Sequence, residues 1–426
     1  MGAVGVAFLT SVVVTRLMSR ELAGFYFWLV SCLALVTIAQ SLGIAAVAAG
    51  RLAQCEKNGG MVQARQLAMR LSNAVLLCTL VIVLLTLGLE RWVSASGWVD
   101  VPKTLRWWPG LLVSSGGVAY GLVMAEVLRY FGWVRIASVA SGLASNVLFL
   151  GCVIAAALAS VELTPERLLW AYAGCAVVVA LVLLGCLCQL NGGWAPGLVD
   201  RTFLWQTSVP VVLSNVGAFV ITQAHTLVAA LALSAIDNAA YGAAARLVLI
   251  VGLIPAVMQS VLVPMAGRTH AGGDLVALEV FMRRSATLMA LVVLPVSVLL
   301  VSVPGFVLDW LFGTGYSDAA GVLRLLVIGA FYNVARGFPG LVLMQIGFQH
   351  EQARLTFVGA LVSVMLLAVA WWIGRAEWIA LAVGLATVVQ GSLEHRLLRA
   401  RVGVFPASDW RLLGNPLVLW RSLHVR

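Results

Sequence analysis

Residues 304–355 read PGFVLDWLFGTGYSDAAGVLRLLVIGAFYNVARGFPGLVLMQIGFQHEQARL, and the centre of this stretch, 322–346, is an apolar run long enough to span a bilayer. Within it stands Arg336, about fourteen residues from Val322, which at about 1.5 Å per residue places it near the midplane of a continuous helix. A charge at that depth costs from about 2.5 kcal/mol upward, so it is expected to face a wet cavity, an anionic ligand or a partner inside the bundle. Asn333 lies one turn before Arg336 and Gly340 one turn after, while Pro339 removes a backbone donor and kinks the helix. The stretch reads as a broken helix lining a cavity. Arg336 then either binds an anion or is a structural arginine that satisfies freed carbonyls or pairs with Glu126.

The rest of the chain follows the same apolar pattern. Of its 426 residues 62% are hydrophobic and only 10% charged, far less charge than the surface of a water-soluble globule requires. Hydropathy and interruptions by charge, Gly and Pro place twelve spans at 2–18, 25–49, 71–89, 107–127, 136–159, 168–188, 209–232, 243–264, 285–304, 322–346, 355–373 and 378–394. The runs are too long for transmembrane strands, and the first is read as a true span and not a cleaved signal. The predicted fold class is an all-α polytopic membrane protein. Its net charge of +10 would suggest nucleic acid in a soluble protein. Here seventeen Lys and Arg fall in one set of loops and the tail against seven in the other, so the positive-inside rule accounts for the charge, implies no nucleic-acid partner, and places both termini in the cytoplasm. The seven cysteines, mostly inside apolar runs, read as free thiols, with no metal or disulfide spacing among them.

The linker QLNGGWAPGLVDRTFLWQTSVP at 189–210 divides the spans into six and six. The expected organisation is an N-terminal six-helix lobe over 1–192, a C-terminal six-helix lobe over 193–394, and a basic cytoplasmic tail over 395–426. SRELAGFYF followed by AAGRL in the first half resembles SAIDNAAYGAAA followed by MAGRT in the second, a faint echo of two parallel repeats with a site at their interface. The tail mixes Arg396, Arg399, Arg401, Arg411, Arg421 and Arg426 with Trp410, Leu412, Leu413, Leu417 and Trp420. It serves either as a topology anchor or as a segment lying on anionic inner-leaflet lipids.

A family resemblance enters at two places. LFGTGYSDAAGVLRLLVIGAFYNVARG (311–337) resembles the ninth-to-tenth-helix junction of bacterial oligosaccharide, O-antigen type, flippases, and TRLMSRELAGFYFWLVSCLALVTIAQSLGIA (15–45) resembles that family's first loop and second helix. The family lies within the multidrug, oligosaccharidyl-lipid and polysaccharide (MOP) exporter superfamily. The resemblance implies two six-helix lobes around a central cavity, and movement of a polyprenyl-diphosphate-linked oligosaccharide from the inner to the outer leaflet by alternating access. It also implies the cell (inner) membrane, no cofactor, and a polysaccharide polymerase and glycosyltransferases as candidate partners. Two negative charges moving outward would gain about 4.6 kcal/mol per 100 mV.

Further candidate residues line up behind Arg336. Arg246, one turn into the eighth span, either joins the site or snorkels to the head groups. In the seventh span Asn215, Ala218, Thr222 and His225 or Thr226 follow helical spacing, with Gln223 adjacent. This stripe either meets sugar hydroxyls in a cavity or bonds to neighbouring helices. Asn333 accompanies Arg336, and Glu126 with Arg129, one turn apart, form a candidate gate pair or a plain interfacial ion pair. No catalytic or metal-ligating residues stand out.

Other classes fit less well. Integral-membrane glycosyltransferases resemble one another in an acidic pair in the first outer loop, where this chain has TRLMSRELAG with a lone Glu21. RLAQCEKNGGMVQARQ is not the loop of a facilitator-type transporter. A multidrug-type exporter of the same superfamily should favour acidic residues for organic cations, whereas this chain offers arginines. A non-transporting scaffold, or an enzyme of polysaccharide assembly, is the remaining alternative.

Overall fold

Apolar segments that meet no water must close their backbone hydrogen bonds internally, and helices do so within one segment. The computed structural model describes residues 2–96, 107–191, 197, 209–271, 275–404 and 407–408, and among these it contains helices and no strand. The helices are α1 (Gly2–Leu17), α2 (Arg20–Gln40), α3 (Ile44–Ser96), α4 (Trp108–Tyr130), α5 (Val134–Ala140), α6 (Leu143–Leu158), α7 (Pro165–Asn191) and α8 (Val209–Thr222). They continue as α9 (Ala224–Ala232), α10 (Ala235–Ala271), α11 (Leu275–Ser302), α12 (Pro304–Phe312), α13 (Ala320–Ala335, after a 3-10 turn at Tyr316–Ala319), α14 (Pro339–Gln345), α15 (Gln349–Ile373) and α16 (Ala376–Val402).

Among the described residues eight segments are long and apolar enough to cross a membrane, or ten if each of two bent pairs counts as one span. The longest, Arg20–Gly88, holds α2 and most of α3, and α3 itself joins two helices across Gly60, whose φ of 76° is left-handed. With that segment divided and the short apolar α1 counted, each of the twelve predicted spans has a helical counterpart. The all-α polytopic class is borne out. Most of the 189–210 linker lies outside the described residues, as do tail residues Trp410, Arg411, Leu412, Leu413, Leu417, Trp420, Arg421 and Arg426.

Packing divides the chain into two compact units, Met1–Val216 and Gly217–Arg426. In the first, α4 packs against α2, α3 and α7. Its glycines allow this: a Cβ on Gly117 would lie 2.9 Å from the Ala176 carbonyl oxygen, and one on Gly121 2.9 Å from that of Ala140. Small residues that let backbones approach are how helices gain dispersion contacts in a solvent as apolar as themselves. Tyr120 on α4 is buried and shares a 2.9 Å hydrogen bond with Ser72 on α3, so its hydroxyl is satisfied inside the core. The outward faces are apolar, with Leu84, Leu85, Leu181 and Val182 exposed.

In the second unit α13 packs against α10, α11 and α16, and α15 packs against α16. Phe357, Met365, Trp371 and Trp372 face outward from α15. Apolar surface this extensive would be a liability in water and is what hydrocarbon accommodates. Two spans are broken. The α5–α6 pair bends by 50° at Gly142, whose φ is 101°, and the α8–α9 pair bends by 60° at Gln223. The second break frees the Val220 carbonyl, which accepts from Ser363 Oγ at 3.3 Å.

Candidate substrate site

The helix carrying Arg336 ends where the sequence is least able to continue it. α13 stops at Ala335, Arg336 is its C-cap, Gly337 takes the left-handed φ of 78° that favours glycine, and Pro339 opens α14 at the position where a missing N–H costs nothing. The break expected within 322–346 is present, and the expected position of Arg336 near the middle of a continuous helix is corrected. The membrane-length segment is Tyr316–Ala335, so Arg336 stands at its end and not half-way along it. The carbonyl of Ala335, left over by the break, accepts the backbone N–H of Ser408 at 3.0 Å.

Arg336 is held on two sides. Its Nε donates to Asn333 Oδ1 at 2.8 Å, and its Nη1 donates to Glu394 Oε2 on α16 at 2.6 Å. The side chains of this pair are 12% and 4% exposed, so the charges are largely withdrawn from solvent. Gln352 and Gln390 donate to the other carboxylate oxygen, at 2.9 and 3.0 Å. Glu394 thus accepts from one guanidinium and two amides, which is what a buried carboxylate needs. Two glycines make room. A Cβ on Gly391 would lie 2.7 Å from Arg336 Cδ, and one on Gly340 would lie 2.8 Å from Glu394 Oε1. Of the alternatives open from the sequence, an internal ion pair is observed, with Glu394 as its acid.

That carboxylate was the residue sequence reasoning missed. The predicted last span ended at 394 and the tail began at 395, which put Glu394 on a boundary where a charge is unremarkable. The only signal was indirect: two breaks in an apolar pattern, an arginine at one and a glutamate near the other, 58 residues apart.

The remaining predicted residues are distributed over several elements of the two units. Arg246 is half-buried on α10, whose packing partners include both α13 and α14, and makes no hydrogen bond or ion pair with the described residues. Asn215 is half-buried and Thr222 exposed on α8, where the Thr222 hydroxyl donates back to the Ala218 carbonyl at 2.8 Å. Gln223 sits at the bend itself: its N–H reaches Phe219 and its carbonyl accepts from the Thr226 hydroxyl. His225 leaves the stripe. It is buried, and its Nδ1 shares a 2.8 Å hydrogen bond with the hydroxyl of Tyr241 on α10. Tyr241→Phe should leave that ring nitrogen unsatisfied and lower stability by about 1–3 kcal/mol, read as a lower melting midpoint of the purified protein; an unchanged midpoint would mean the bond holds nothing together.

Glu126 and Arg129 are in contact, but both belong to α4 and both side chains remain substantially solvent-accessible, 32% and 45%. A pair within one helix closes nothing between elements, and at this exposure it contributes a few tenths of a kcal/mol.

Residues 126–321 match the model of a family described as polysaccharide biosynthesis protein. No curated protein matches the sequence. Among solved structures, an inward-facing multidrug resistance MATE family transporter of the MOP superfamily aligns with a TM-score of 0.70 at 15% identity, covering 95% of this chain and 96% of that one. The lipid II flippase MurJ, in an inward closed conformation, aligns at 0.70 and 13% identity over 99% and 89%. A MOP superfamily transporter from Pyrococcus furiosus aligns at 0.57 and 14% identity over 94% of each chain.

The fold is one shared with transporters of the MOP superfamily. The family resemblance is borne out by the match of residues 126–321, and the chain is a multi-pass membrane protein whose architecture is shared with a MATE transporter and a lipid II flippase.

Proposed function

We propose that the chain flips a polyprenyl-diphosphate-linked oligosaccharide, a repeat unit of O-antigen, capsule or exopolysaccharide, from the inner to the outer leaflet of the cell membrane, with both termini cytoplasmic. The observation that carries this reading is the match of residues 126–321 to a polysaccharide biosynthesis family on a fold shared with a lipid II flippase. Physical need supports it, because each unpaired hydroxyl or phosphate drawn through hydrocarbon costs several kcal/mol. Arg336, with Arg246, supplies cations for the diphosphate, and Asn333, Asn215, Thr222 and Gln223 supply hydrogen bonds for sugars.

Export of organic cations is the rival, since a multidrug transporter aligns with the same TM-score. The charge distribution argues against it. Among the described residues Glu394 is the only buried acid, and Arg336 already neutralises it. Reconstituted into liposomes with a fluorescent polyprenyl-diphosphate oligosaccharide, the protein should speed the loss of inner-leaflet label at least about tenfold over empty vesicles. Efflux of ethidium with no lipid movement would overturn the reading.

A further inference from the structure

The end of α13 and the last turns of α16 enclose an open cavity of about 530 Å³. From α16, Ser392, Arg396 and Arg399 project into it at i, i+4 and i+7, one face of the helix. From α13 come Tyr332 and Arg336, and Ser408, tied to the Ala335 carbonyl, closes one side. Among the described residues three guanidiniums line this space and no carboxylate does. Glu394 turns away from it, toward Gln352, Gln390 and Gly340.

Among the described residues these charges are not cancelled locally. The side chains of Arg396 and Arg399 are exposed and make no hydrogen bond or ion pair with the described residues, and the Nη2 of Arg336 is likewise unused. Like charges one turn apart on a helix repel. The helix dipole explains basic residues in the last turn of α16, Arg399 and Arg401. It explains neither Arg336, which reaches the same space from another helix, nor the cavity between them. Convergent guanidiniums with free N–H edges match the oxygens of a phosphoryl group, which they bind bidentately. The volume is ample for a phosphate together with the group esterified to it. The cavity also lies at the ends of two segments long and apolar enough to cross a membrane, Tyr316–Ala335 and Ala376–Val402.

We propose that this cavity is a phosphoryl-binding site, taking a phosphate or diphosphate either on a lipid head group or free in solution, through Arg396, Arg399 and the open edge of Arg336. The site goes beyond the transport reading, since a chain that moved nothing would still bind there, and it is tested by binding rather than by flux.

The test uses the purified full chain and two probes: inorganic pyrophosphate, followed by calorimetry in detergent, and phosphatidylglycerol, followed by native mass spectrometry after release from phosphatidylcholine nanodiscs containing it. Arg396→Gln with Arg399→Gln is compared with Arg354→Gln with Arg401→Gln, which removes the same charge from exposed positions outside the cavity. The cavity pair should weaken binding of at least one probe about tenfold or more while the control pair binds as wild type. Pyrophosphate binding with this pattern identifies free phosphoryl compounds as sufficient ligands, and the pattern with phosphatidylglycerol alone identifies a lipid head group. Equal weakening by both pairs, or no binding of either probe to the wild type, would overturn the site.

Discussion

Glu394→Ala should lower stability by about 3–5 kcal/mol, the largest loss expected from any single substitution outside the packed apolar core. The deletion strands three donors at once: Nη1 of Arg336 and the side-chain amides of Gln352 and Gln390, which converge on the two carboxylate oxygens. It also leaves a guanidinium of 12% side-chain exposure without its counter-charge, and an uncompensated charge in that position is far more costly than the intact pair is favourable. Unfolding in mixed micelles would measure it. Glu394→Gln keeps both amide bonds and the shape, so its cost should be clearly smaller. Equal losses for Ala and Gln would show that the amide network contributes nothing.

Much of this architecture was legible in the sequence, and the reason is specific to membranes. Hydrocarbon enforces a minimum apolar length for each span, so hydropathy alone places helices that a water-soluble chain would leave ambiguous. The break near Arg336 was legible too, because Pro339 announces itself, although the left-handed Gly337 sets the actual end and moves Arg336 to the helix terminus. The bend at Gln223 was not legible: no Gly or Pro marks it, and it takes His225 off the stripe that helical spacing predicted and buries it against Tyr241. The pairing of residues 336 and 394 was out of reach for the same reason as any tertiary contact, since composition and periodicity report which face is apolar and not which helix lies opposite. Gly340 and Gly391 are the two positions that admit the pair, and of these only Gly340, beside Pro339, stands out in the sequence.

Arg336→Met combined with Glu394→Gln should fold as the wild type does and fail to move lipid-linked oligosaccharide. Removing both charges together avoids the stranded ion of the single variants, and replacing an ion pair by neutral groups of similar volume is commonly neutral or stabilising. Gln at 394 preserves an acceptor for Gln352 and Gln390, and Met at 336 fills the slot over Gly391 without a charge. If the guanidinium only fastens the end of α13 to α16, this variant keeps its stability and its transport. A guanidinium that exchanges Glu394 for the diphosphate during the cycle cannot be replaced by a thioether, and flipping in liposomes should then fall at least about a hundredfold, the order expected for loss of a charge-assisted bidentate contact. Melting midpoint and flipping rate measured on the same preparation separate the two roles, because in this variant a purely fastening role leaves both unchanged and ligand binding moves only the second. A variant that melts and flips like the wild type would remove Arg336 from the substrate path.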